Sequence, residues 1–124
     1  MRIILSDHNC EGQAEALFNL LRYQSEWLEL VPMELKRFDD VGLAYTADDR
    51  VVWQLCQEQS YLLLTGNRST KDGIKSLEYQ IRDLATPDCL PVLTIGNLKR
   101  VLPDIEYRRR CAVRLAEIVD ELHL

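Results

Sequence analysis

The chain has 124 residues, a formal net charge of −5, and 47% apolar and 28% charged residues. That length fits one domain around a single core. The acidic surplus argues against broad non-specific binding to nucleic acid, which needs a basic surface. No apolar run approaches the roughly 20 residues of a membrane helix. The opening Met1-Arg2-Ile3-Ile4-Leu5 turns polar at Ser6-Asp7, too early for the core of a signal peptide. The expectation is a cytoplasmic protein with no membrane contact.

In chain order, Arg2 to Leu5 reads as a compact strand ending at Ser6-Asp7-His8-Asn9. From Glu11 to Arg22 the apolar residues Ala14, Leu17, Phe18 and Leu21 recur at helical spacing, with Asn9 as the expected N-cap. Trp27 to Leu35 alternates loosely and holds Pro32, which suits an edge strand. Lys36 to Thr46 is irregular, with Gly42 as a turn. Asp48-Asp49 opens a second helix, with Val52, Leu55 and Cys56 on one face and Trp53 off it, covering a neighbouring element or an oligomer contact such as a homodimer.

Tyr61 to Leu64 is a short apolar run, read as a strand covered on both faces. It gives way to the polar stretch Thr65-Gly66-Asn67-Arg68-Ser69-Thr70-Lys71-Asp72-Gly73. Ile74, Leu77, Ile81 and Leu84 mark a third helix, and Pro91 to Ile95 a fourth strand whose proline again suits an edge. Ile105 to Leu122 is the last helix, with Cys111, Leu115, Ile118, Val119 and Leu122 as its apolar stripe.

Strict alternation of strand and helix predicts a single-domain three-layer α/β/α fold. The sheet is expected to have four mostly parallel strands in the order 2-1-3-4. Strands one and three are then neighbours, which sets Asp7 beside Asn67 at the point where the strand order reverses. Open α/β sheets bind ligands there, outside the carboxyl ends of the strands.

Three acidic residues are expected to converge on that point: Asp7 after strand one, Asp49 at the start of its helix, and Asp72 after strand three. Clustered carboxylates suit a hard cation such as Mg²⁺ or Mn²⁺, which can stabilise a phosphodiester in transition. Each also has an ordinary role: Asp48 and Asp49 suit an N-cap and a first turn, Asp72 a helix cap, and Asp7 can simply bond loop amides. Thr65-Gly66-Asn67-Arg68-Ser69 can instead form an anion cradle of backbone N–H groups, although it lacks the P-loop spacing. His8 is a candidate base or ligand beside Asp7. The run Arg108 to Arg110 is ordinarily a solvated helix face, and its functional reading is a phosphate-contacting strip. Cys10, Cys56, Cys89 and Cys111 form no Cys-x-x-Cys pair, so zinc is not expected.

Ile3 to Asn9, Ala47 to Cys56 and Leu62 to Arg68 together resemble the PIN-like superfamily. The nearest branch is the small domains similar to toxin-type ribonucleases and the Mut7-C group. Members show a strand ending in Asp, a helix opening with Asp, and a strand ending in Thr-x-Asp. The resemblance implies Mg²⁺- or Mn²⁺-dependent RNA hydrolysis, with Asp7, Asp49 and Asn67 as the catalytic positions. Asp7, Asp49 and Asp72 would be the metal ligands, and Thr65, Gly66, Arg68 and Lys71 the phosphate contacts. Asn67 stands where the third Asp is expected, and Ser69 where a second often follows, so the site is one of weakened or lost activity. The alternative is a non-catalytic module on the same fold, binding RNA, phosphate or a protein partner such as an antitoxin.

Overall fold

In the computed structural model, residues 1–23, 26–66 and 92–122 are described with their side chains, and 77–80 by their backbone. The strands are β1 (Arg2–Ser6), β2 (Met33–Lys36), β3 (Leu62–Gly66), β4 (Leu77–Gln80) and β5 (Val92–Ile95). Among the described residues the helices are α1 (Glu11–Tyr23), the single turns α2 (Trp27–Leu30) and α3 (Phe38–Val41), then α4 (Asp49–Gln59) and α5 (Ile105–Leu122).

The sheet runs in the order β2-β1-β3-β5-β4. Its first four strands are parallel, with Leu5 opposite Leu63 and Leu63 opposite Val92. They carry the expected order 2-1-3-4 once numbered without β4. Successive side chains point to opposite faces, and both faces are apolar. Ile4, Leu62, Leu64, Leu93 and Ile95 pack with α1 and α5. Leu5, Leu63 and Val92 pack with Phe38 of α3 and with Val52 and Cys56 of α4. This is the three-layer α/β/α arrangement, and it buries Leu63 to 2% exposure.

Several local expectations change. Leu77–Gln80 is a strand antiparallel to β5, not part of a third helix; Ile74, Ile81 and Leu84 lie outside the described residues. The segment Leu-Glu-Tyr-Gln alternates apolar and polar with a period of two, and Tyr79 favours a strand. Consequently β5 is interior and β4 forms that edge. Strand two is shorter and later than Trp27 to Leu35, because Trp27–Leu30 closes a helical turn first. The irregular stretch after it holds α3, which ends with Gly42 in the left-handed region at φ 76°.

Candidate functional site

The strand order reverses between β1 and β3, the place at which open α/β sheets put their ligand sites, outside the carboxyl ends of the strands. Asp7 follows β1 directly. Its backbone N–H donates to the Leu64 carbonyl at 2.8 Å, extending the β1–β3 ladder by one step. Its carboxylate Oδ2 accepts from Thr65 Oγ1 at 2.8 Å. Asp7 also begins the 3-10 turn His8–Cys10, yet its side chain makes no capping hydrogen bond there. The carboxylate is half-buried, oriented by a neighbouring strand, and free of the usual loop role.

Beneath it Ser6 and Cys10 are hydrogen-bonded, whereas the Asn9 Oδ1 is buried with no partner among the described residues. Ser6 is fully buried, and its hydroxyl donates to the Asp7 carbonyl at 3.0 Å. The Cys10 thiol donates to the Leu64 carbonyl at 3.4 Å. Burial pushes that thiol up to about 12, so it stays protonated and is no nucleophile near neutrality. Asn9 lies inside the 3-10 turn, so it is not the N-cap of α1.

His8 is half-exposed and held from three sides. Its Nδ1 lies 3.5 Å from Glu11 Oε2. The same Glu11 oxygen accepts the Phe38 N–H at 3.4 Å. The His8 ring stacks on Tyr45, with centroids 4.4 Å apart and planes 16° from parallel. It also meets the buried Phe38 ring at 5.9 Å. Tyr45 and Glu11 were not signalled by periodicity or motif; only Tyr45's place between Gly42 and Asp48 in a turn-rich stretch hints at exposure.

At the start of α4 the two acids divide their roles. Asp48 is the N-cap, its Oδ1 accepting from the Arg50 N–H at 2.7 Å. Asp49 is exposed in the first turn. Since α4 runs back antiparallel to β3, its N-terminus lies at the same end of the sheet as Asp7. Trp53 packs against the core under α4, which accounts for its place off the main stripe.

The carboxyl end of β5 is organised differently. A Cβ on Gly66 would lie 2.5 Å from the Leu98 side chain, so glycine lets Leu98 cover the end of β3. Thr65 and Gly66 are strand residues, paired with Thr94 and Ile95. The Asn97 N–H donates to the buried Tyr107 hydroxyl at 2.7 Å. Arg100 lies over the Tyr107 ring at 4.9 Å and donates to Asp104 at 2.8 Å. The Tyr107 N–H and the Arg100 guanidinium hold the Asp104 carboxyl below the usual range.

The arginine run is not uniform. Arg108 donates through Nε to the Val101 carbonyl at 3.0 Å, and also donates to the Leu102 carbonyl. Arg109 pairs with Glu106 at 3.3 Å on the exposed side, and Arg110 is exposed. Arg108 is therefore a clamp on the preceding loop, while its two neighbours form the solvated face.

Among the described residues no three His, Cys, Asp or Glu side chains come together as a metal set. Asn67, Arg68, Lys71 and Asp72 lie outside the described residues, so the structure places Asp7, Asp49, Thr65 and Gly66 of the expected site. Among the described residues no helix is long and apolar enough to cross a membrane. In comparisons with known proteins, no family model, no curated protein and no solved structure matches this chain.

Proposed function

We propose that the protein is a metal-assisted ribonuclease-like domain of the PIN-like kind, with a weakened acidic site at the carboxyl end of β1. The observation that carries this reading is the Asp7 carboxylate. It stands at the strand-order reversal, is oriented by Thr65, and does no capping. A surface aspartate beside a turn ordinarily bonds the turn's amides, and Asp7 does not.

The donor set fits a weak site. Mg²⁺ is commonly held by one or two carboxylates, with waters and substrate phosphates completing its shell. Asp7 supplies one such carboxylate, and Asp49 stands at the same end of the sheet. Asn67, from its position in the sequence, would add an amide oxygen without charge. A bound Mg²⁺ or Mn²⁺ would stabilise negative charge on a phosphodiester. The chain's own contribution is to fix the orientation of the Asp7 carboxylate through the Thr65 hydroxyl.

The test is Mn²⁺ calorimetry on the wild type and Asn67→Asp. Each anionic oxygen added to a hard dication's shell raises affinity. Asn67→Asp should therefore tighten Mn²⁺ and, through carboxylate repulsion, lower the melting temperature of the metal-free protein. If it does neither, Asn67 and Asp7 do not share a site and the non-catalytic module takes the place of this reading.

A further inference from the structure

We propose that the protein pairs with a second copy of itself through α5, the two helices lying antiparallel across a two-fold axis. Charge along α5 is divided between its ends. The first half, 105–113, carries Arg108, Arg109 and Arg110 against Glu106, a net +2. The second half, 114–122, carries Glu117, Asp120 and Glu121 against Arg114, a net −2. That order opposes the helix macrodipole, which favours acids at the amino end and bases at the carboxyl end. No basic residue stands in the last turn of α5. Helix stability alone does not account for the placement.

The surface beside the basic half is open. A groove of about 300 Å³ between α1 and the start of α5 is lined by Ala16, Asn19, Leu20, Tyr23, Ile105 and Arg108. Tyr23 and Ile105 are exposed there. Among the described residues neither Arg22 nor Arg108 has an acidic partner. Arg22 lies over the Tyr23 ring at 5.7 Å and donates to Asn19 Oδ1 at 3.2 Å. Arg108 donates to the Val101 and Leu102 carbonyls. An apolar groove edged by two uncompensated cations fits an acidic occupant, and the far end of α5 is one. There Glu117 and Asp120 are exposed, with no ion pair among the described residues, and Glu121 has Arg114 at 3.6 Å. The two ends of one 18-residue helix cannot meet. A two-fold axis brings each end of α5 to the opposite end of its partner, so the contact is made twice. Arg109 and Arg110 then face the partner's Asp120 and the partner's Glu121, and the end of the second helix lies over the groove.

A charge pattern that is only a solvated face leaves the protein monomeric, and this separates the two roles. The experiment is sedimentation velocity at low ionic strength on the wild type and two charge-reversed variants. One is Arg109→Glu with Arg110→Glu, the other Asp120→Arg with Glu121→Arg. All four positions are exposed, and melting curves confirm that each variant is folded. The wild type should sediment as a dimer and shift to monomer as added salt screens the contact. Each variant alone should self-associate about 100-fold or more weakly, because like charges then face one another. An equimolar mixture should recover the dimer, since one variant is acidic and the other basic at both ends of α5. Starting from −5, the four-unit changes leave the variants at −9 and −1, so general charge attraction does not draw them together. A wild type that stays monomeric at low salt would overturn the interface. So would variants that remain dimeric alone, or a mixture that stays monomeric. None of these results bears on the metal reading at Asp7.

Discussion

The carboxyl ends of β1 and β5 carry similar residues and use them in opposite ways. At β5 the Asn97 amide, the Tyr107 hydroxyl, Arg100, Asp104 and Arg108 bond one another or the backbone. At β1 Ser6 and Cys10 are likewise tied to backbone carbonyls, while the Asn9 Oδ1 is buried with no partner among the described residues. Above them, however, Asp7 has a single side-chain partner among the described residues, and Tyr45 is 64% exposed. A polar group that completes a network fixes the fold. One that is oriented but left open is available to a ligand.

The largest expected effect lies at the closed end. Tyr107 is 1% exposed, and Tyr107→Ala should cost roughly 3–5 kcal/mol in denaturant melts, as for other large buried rings. Tyr107→Phe keeps the ring but leaves the half-buried Asn97 N–H without its acceptor, a loss of about 1 kcal/mol. Burial pushes the Tyr107 phenol up to about 12 and the Cys111 thiol up to about 11. Both folded values lie above the ordinary ones, so protonated Tyr107 contributes stability in full below about 10. That contribution is lost as pH rises through 12, and Tyr107→Phe should flatten this alkaline loss. An alkaline limb unchanged in Tyr107→Phe would mean that the network at β5 is not closed as described.

A smaller difference tests the arginine run. Arg108→Ala frees two loop carbonyls and should cost about 1–3 kcal/mol, the range for bonds to a charged donor. Arg109→Ala, an exposed pair with Glu106, should stay within roughly 0.5 kcal/mol. Equal losses for the two would erase the distinction between clamp and solvated face.

These contrasts also show where the sequence was readable. The parallel sheet was legible because Tyr61 to Leu64 is unbroken apolar chain, and burial on both faces demands that. Asp48 was legible as a cap because an acid before an apolar helical stripe has few other uses. β4 was not, because Leu77 fits a helical period with Ile74 and Ile81 as well as a strand period with Tyr79. The stack of His8 on Tyr45 joins the end of β1 to the loop before α4, and no local pattern records a contact made only by the fold. Arg108 was hidden for the same reason: the Val101 and Leu102 carbonyls reach it only because the loop before α5 turns back on the helix.

The most direct measurement compares Asp7→Asn with Asp48→Ala, each titrated with Mn²⁺ by calorimetry and melted without metal. Asp48 caps α4, so its loss should cost about 1 kcal/mol of stability and leave Mn²⁺ affinity near that of the wild type. Asp7→Asn should weaken Mn²⁺ binding, because the carboxylate is replaced by an uncharged amide. It should scarcely move the melting temperature, because the near-isosteric amide oxygen still accepts from Thr65. If Asp7→Asn instead lowers the melting temperature as Asp48→Ala does and leaves Mn²⁺ affinity unchanged, Asp7 is a structural residue and the end of β1 is not a site.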